Sequence, residues 1–328
     1  MTQQSSTSSS PSSSPSPVHI PVFLNDVLTV FSEAQGPVVT AFDGTFGRGG
    51  HAREVMKAHP NACMLAFDWD EEAIHFGEAS FASEIASGRL RLVRASYLNF
   101  AKEQKRLSED GARSWPTHYN LMLLDLGVSS PQLDRAERGF SFYHDGPLDM
   151  RMDQRGTTTA ADIVNTWDEQ ELAKLFIEYG EVQRPFRVVR AIVNDRKERK
   201  PFSTTRELAS MIERVDGWQK KGSHPATRYF LALRMKVNEE LDSIERVIPD
   251  LIAGLAEGGI LAIITFHSLE DRVVKNVFKA QLHLGRLVNK KVIKPSEGEI
   301  ARNPRARSAK LRAFKKISNQ SSNHGEKR

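Results

Sequence analysis

A single cysteine in 328 residues, Cys63, rules out any disulfide within the chain. It sits in an apolar run, which makes it a core thiol rather than a nucleophile and fits a reducing compartment. The 10 His residues are scattered and no Cys or His pair has ligand spacing, so no metal site is expected. Long apolar stretches are missing as well. No segment approaches the ~18 residues of a membrane span, and the N-terminus has neither the basic start nor the apolar stretch of a signal peptide. A cytoplasmic protein with no membrane partner is expected. Residues 1–17 are nearly all Ser, Pro, Thr and Gln, too little apolar surface to offset ordering entropy, and read as a disordered tail. No Ser/His/Asp arrangement is recognisable by spacing.

What the chain does have is an uneven positive charge. The net value is +5, but Arg302, Arg305, Arg307, Lys310, Arg312, Lys315 and Lys316 crowd the C-terminal end. A second run between Arg184 and Lys200 includes Arg187, Arg190, Arg196, Lys197 and Arg199. Two basic clusters far apart in sequence suit a polyanion, although solvated helix faces and an exposed tail would look the same.

Apolar runs at Val38–Phe42, Cys63–Phe67, Leu90–Val93, Leu121–Leu124 and Ile260–Phe266 alternate with helical patterns at His51–Ala58, Asp70–Ala86 and Ala226–Leu255, the last with a break expected near Pro249. This βαβ rhythm predicts an α/β fold, a doubly wound Rossmann-like sheet whose ligand crevice lies at the strand carboxyl ends. Asp43, Asp68 and Asp125 each close one of these runs. Between the fourth and fifth runs the pattern turns helical, with capping-box spacing at Thr166/Glu169 and Thr204/Glu207. The expected division is a sheet domain from 18–133 and 224–316, a helical insertion at 134–223 that holds a large substrate, and a flexible tail at 317–328.

The segment Phe42-Asp-Gly-Thr-Phe-Gly-Arg-Gly-Gly-His51 followed by Asp68 has the layout of a nucleotide-type cofactor site. Gly47, Gly49 and Ala52 satisfy G-x-G-x-x-G/A, which would suit a nicotinamide dinucleotide and an oxidoreductase. Asp43 opposes that reading, since a carboxylate there repels a pyrophosphate but suits the ammonium and sulfonium of S-adenosyl-L-methionine. An ordinary strand-to-helix turn is the third reading.

Further motifs line the same edge. The run Leu121-Met-Leu-Leu-Asp125 continues into the polar loop Leu126-Gly-Val-Ser-Ser-Pro-Gln132-Leu-Asp134, a candidate active-site wall. Glu137-Arg-Gly-Phe140-Ser-Phe142 and Asp145-Gly-Pro-Leu-Asp-Met-Arg-Met-Asp153 read either as a lid or nucleobase platform or as a self-packed Ω-loop with surface ion pairs. His224-Pro-Ala-Thr-Arg228 opens a helix on which Arg228, Arg234 and Asn238 could reach a substrate, though Arg can equally pair with carboxylates. In Thr265-Phe-His267-Ser-Leu-Glu-Asp-Arg272, Ser268 and Asp271 have capping-box spacing, and His267 is either a base contact or a hydrogen-bonded structural residue.

Taken together, these motifs and Asn303-Pro-Arg-Ala-Arg-Ser308 closely resemble the ribosomal RNA small subunit methyltransferase H family, a likeness spanning about His19 to Lys315. The resemblance implies a class I S-adenosyl-L-methionine-dependent methyltransferase that modifies N4 of a cytosine in the decoding centre of 16S rRNA, with the small ribosomal subunit as partner. It implies a cofactor site at Gly49, Gly50, His51, Asp68, Tyr97, Asp125 and Gln132, to which Asp43 is added from the residue reading. Tyr97 stands where the family pattern has Phe; either ring can stack on adenine. The implied chemistry is direct displacement at the sulfonium methyl; the loop after Asp125, through backbone carbonyls of Leu126 to Pro131, is the expected acceptor near the amine N–H, and Asp125 is the candidate catalytic residue. Phe140, Phe142, Arg228, His267, Arg305, Arg307 and Lys310 are the candidate RNA contacts. An rRNA-binding assembly factor without catalysis is the remaining alternative, and oligomeric state is open, a dimer included.

Overall fold

The computed structural model describes residues 21–110, 115–127, 135–198, 200–217 and 224–317. In chain order the first half runs α1 Leu24–Phe31, β1 Thr40–Asp43, α2 Gly50–Ala58, β2 Cys63–Asp68, α3 Glu71–Ser80, α4 Ala82–Ala86, β3 Leu90–Arg94, α5 Phe100–Ser108 and β4 Tyr119–Asp125. It continues with α6 Ala160–Thr166, α7 Glu169–Glu178, α8 Phe186–Glu198, α9 Thr205–Asp216, α10 Thr227–Val237, α11 Glu240–Ala253, β5 Leu255–Thr265, α12 Ser268–Ala280, β6 Gly285–Leu287, α13 Glu297–Arg302 and β7 Lys310–Lys316.

The sheet has the order β3-β2-β1-β4-β5-β7-β6. The first five strands are parallel, as expected of runs apolar on both faces. Because successive side chains point to opposite faces, each strand feeds two cores. Ala41, Met64, Ala66, Leu121, Leu123 and Ile264 pack under α1 and α2. Phe42, Leu65, Phe67, Met122, Leu124 and Ile263 face the other way, against α5, α11 and α12. Register staggers the carboxyl edge: Asp43 pairs with Ala66 and Leu123, so Asp68 and Asp125 project two residues further, about 7 Å.

β7 corrects the reading of the C-terminal basic cluster. Lys310–Lys316 is an antiparallel strand between β5 and β6, with Leu311, Ala313 and Phe314 buried. Its cations are used inside the fold. Arg312 Nε and Lys310 Nζ bond Asp271 at 2.6 and 3.2 Å, and Lys315 Nζ donates to the Glu33 carbonyl at 2.6 Å.

The insertion has its own core, built from Leu148, Ile163, Leu172, Phe176, Ile192, Leu208 and Ile212 among others, and continuing past residue 223 through Tyr229 and Leu233 of α10. Trp69, next after β2, packs against this cluster, and Asp70 lies 3.5 Å from Arg138. Two local expectations change. The caps are reciprocal boxes at Thr159/Asp162 and Asp168/Glu171, not Thr166/Glu169; Thr166 instead bonds back to the Asp162 carbonyl. Thr204/Glu207 is a capping box as expected. The helical pattern 226–255 breaks at Asn238 and Glu239, not at Pro249, which lies inside α11. There Glu239 takes a left-handed φ of 47° while the Asn238 amide binds Met150 O, Met152 N and Arg234 O at 2.8 Å each.

Candidate active site

The loop from β1 to α2 is built so that backbone crosses the sheet edge closely. Gly44 donates to the Leu123 carbonyl, and a Cβ there would lie 2.3 Å from a Leu124 methyl. Gly49 has φ +69° at the start of α2, and a Cβ would meet the Phe81 ring at 2.5 Å. The tight turn is therefore required by packing as well as by any ligand. Asp68 organises it: one oxygen accepts the Gly47 amide at 2.7 Å and the other the Asp70 amide at 2.9 Å. Asp43 accepts the Thr45 amide at 3.0 Å, and the Thr45 hydroxyl accepts the Asp125 amide at 2.6 Å.

Three carboxyls thus share one edge, and burial governs them. Asp68 is pushed up to about 6 by burial, partly offset by its backbone donors. Asp43, 3% exposed, rises to about 7 through burial and then repulsion from Asp68, against its bond to Thr45. Asp125 rises to about 8 through burial, then Asp43 and Glu270. Its Oδ2 is 3.7 Å from Nε2 of the buried His51, and its Oδ1 has no hydrogen-bond partner among the described residues. The side chain is still 28% exposed, so a ligand can reach it. Such a cluster lacks positive charge, and a cationic ligand would relieve it. Tyr97 begins a 3₁₀ turn capped by Ser96, with its Cβ beside Gly44. Burial raises its hydroxyl pKa, with Glu240 and Glu270 adding to the effect.

Behind Asp125 lies a second charged group that the sequence reading missed in part. Arg234 of α10 grips Glu240 of α11 at 2.8 and 2.9 Å. His267 caps α12, its Nδ1 accepting the Glu270 amide at 3.4 Å and its Nε2 lying 2.9 Å from Glu270 Oε1. Burial pushes Glu270 up, but His267 and Arg234 outweigh it and hold the carboxyl below its usual range. Glu240, His267 and Glu270 bring ligand atoms within 4.8 Å of one another. Arg234 already neutralises Glu240 there, so the geometry is explained without an ion. Glu240 follows another glutamate in sequence, with no spacing signal to mark it.

Several expected RNA contacts are placed differently. His267 is turned inward as the helix cap, replacing the expected Ser268/Asp271 box; Ser268 instead reaches Glu181 at 2.9 Å and Asp271 pairs with Arg312. Phe140 is 8% exposed within the insertion core and cannot support a flipped base. Phe142 is half-buried in a ring cluster with His224 and Phe230, leaving Tyr143, 71% exposed, as the outward aromatic of that loop. The 145–153 segment behaves as the self-packed alternative, with Arg151 clamped on Asp149 and the backbone of Met150 and Met152 held by Asn238. Arg228 is exposed while donating to the Glu181 carbonyl at 2.9 Å. Arg305 and Arg307 are exposed in a turn capped by Asn303, whereas Lys310 is held by Asp271. Gln132 and the rest of 128–134 lie outside the described residues.

The chain is 51% identical over 301 residues to the ribosomal RNA small subunit methyltransferase H of Bdellovibrio bacteriovorus, covering 92% of this chain and 88% of that one. A relative of the same name from Carboxydothermus hydrogenoformans is 41% identical, with 92% and 98% covered. Among solved structures, an rRNA methylase from Streptococcus thermophilus aligns over 90% of this chain and 95% of its own at 9% identity, with a TM-score of 0.42. So loose a likeness adds nothing to the observed strand order. The model of the MraW methylase family matches residues 16–317, the nicotinamide alternative falls away, and the chain belongs to that family of methyltransferases.

Proposed function

We propose that this chain methylates N4 of a cytosine in the decoding centre of 16S rRNA, acting on the small ribosomal subunit. The observation that carries the reading is the carboxylate edge formed by Asp43, Asp68 and Asp125 beneath the glycine turn, in a chain closely related to small-subunit rRNA methyltransferases. S-adenosyl-L-methionine is the cofactor, and when bound it supplies an electrophilic methyl group on a cationic sulfur. Asp68 would hold the ribose hydroxyls with the lone pairs left free by Gly47 and Asp70, and the Tyr97 ring would cover the adenine. Asp43 and Asp125 supply negative charge toward the ammonium and sulfonium.

The cytosine amine is a poor nucleophile because its lone pair is delocalised into the ring. As its nitrogen is alkylated it must shed a proton, which the part-exposed Asp125 carboxylate, ionised beside the cationic ligand, would accept. The inserted domain would position the RNA over the edge. The test is transfer of labelled methyl groups to small subunits from cells lacking the modification, followed by mass-spectrometric mapping of the modified nucleotide. Label on N4 of a single 16S cytosine is expected; RNA binding without incorporation would favour the assembly-factor reading, and label elsewhere would replace the assigned target.

A further inference from the structure

Basic residues in the insertion are mostly paired. Arg151 and Arg155 bond Asp149 and Asp153, Arg214 bonds Asp195, and Lys200 bonds Glu207. Arg196 is consumed by the carbonyls of Val164 and Trp167. Lys174, Arg184 and Arg206 show no side-chain partner among the described residues, and neither do three cations that share helix α8. Arg187, Arg190 and Lys197 are exposed, and none has a carboxylate partner or a hydrogen bond among the described residues. Phe186 opens the same helix and is 54% exposed.

At 3.6 residues per turn, Phe186, Arg187, Arg190, Asn194 and Lys197 fall within one stripe about 100° wide. Outside that stripe, Val188, Val189, Ile192 and Val193 are buried in the insertion core, Val193 bordering Phe186. From Arg187 to Lys197 the stripe runs about 15 Å along the axis. Its near end is tethered to the crevice. Glu181, at most about 18 Å of chain before Phe186, accepts bonds from Ser268 and Arg272 at the start of α12, directly after β5.

A solvated helix face gains nothing from an exposed phenylalanine, and an acidic protein surface gains little from one. A flexible polyanion with planar bases uses both features. We infer that the outward stripe of α8 is a docking surface for unpaired rRNA, where Arg187, Arg190 and Lys197 meet phosphates and the Phe186 ring stacks on a base. The inference rests on the proposed rRNA substrate and specifies which face of the insertion receives it.

The test uses the full chain with Arg187→Gln, Arg190→Gln and Lys197→Gln combined, and separately Phe186→Ala and Phe186→Tyr. Affinity for a protein-free 16S rRNA fragment is measured across a salt series, beside thermal unfolding and cofactor binding. Removing three phosphate contacts should flatten the slope of log affinity against log salt by about 2. Phe186→Ala should weaken binding roughly tenfold with little change in slope, and Phe186→Tyr should restore it. KM for small subunits should rise in the triple variant while kcat stays near that of the parent. An unchanged slope and affinity in well-folded, cofactor-binding variants would overturn the inference, as would a defect seen only with assembled subunits, which would assign the stripe to a ribosomal protein. If the parent transfers no methyl group at all, the proposed function fails independently, because the salt series reads binding alone.

Discussion

Asp125 differs from its two neighbours in what its oxygens touch. Asp43 and Asp68 are already committed to backbone amides, whereas Asp125 keeps one oxygen without a hydrogen-bond partner among the described residues. Its replacement should therefore affect chemistry more than cofactor retention. Asp125→Asn, which preserves shape but cannot take a proton, is expected to lower kcat by about 10²-fold, with a smaller change in cofactor affinity by calorimetry. The three carboxyls together make a pH prediction. Their folded values of about 6, 7 and 8 lie above the unfolded 3.8, so the ligand-free protein binds more protons folded than unfolded across that range. Its stability should fall as pH rises from about 4 to about 8. A cationic ligand favours the ionised forms, so its affinity should rise over pH 6 to 8 with release of protons. Calorimetry in buffers of different ionisation enthalpy measures that release directly, and a pH-independent affinity would contradict it.

At the scale of elements, the turn between α10 and α11 holds more of the architecture than its length suggests. Asn238 bonds the backbone of Met150 and Met152 and the end of α10, while Glu239 adopts a left-handed conformation. Asn238→Ala should cost about 1–3 kcal/mol by leaving these groups unsatisfied, read as a lowered midpoint in thermal unfolding. This turn also shows where the sequence was opaque. Pro249 is the visible helix breaker, yet α11 runs through it. The actual interruption depends on tertiary bonds to residues almost ninety positions earlier, which no local pattern reports. The same holds for β7. Lys310–Lys316 alternates correctly for a strand, but its charge dominates the reading until Asp271 and the Glu33 carbonyl are seen to absorb it.

For the molecule as a whole, the parallel strands were legible because each carries an apolar run, and the carboxylate edge followed from the aspartates that end three of them. The glycine turn was legible in the same way. What the sequence could not reveal was which polar residues face each other: His267 and Glu270, Arg234 and Glu240, Lys310 and Asp271. This sorts the C-terminal charges into two kinds. Arg307→Gln should lower RNA affinity and flatten its salt slope by about 1, leaving the unfolding midpoint unchanged. Lys310→Gln should do the reverse, lowering the midpoint with little effect on the slope. Equal slope changes from both variants would mean that Asp271 does not hold Lys310 in solution.

The placement of Trp69 has one more consequence. The residue preceding it would grip the ribose, its own indole packs against the insertion core, and the residue following it lies beside Arg138. One tripeptide therefore touches both ligand-handling modules, and filling one should change the grip of the other by the same factor in each direction. Cofactor affinity measured with and without an rRNA fragment should differ by about fivefold or more. Trp69→Ala should bring that ratio close to one, and a ratio unmoved by the substitution would show that the modules act independently.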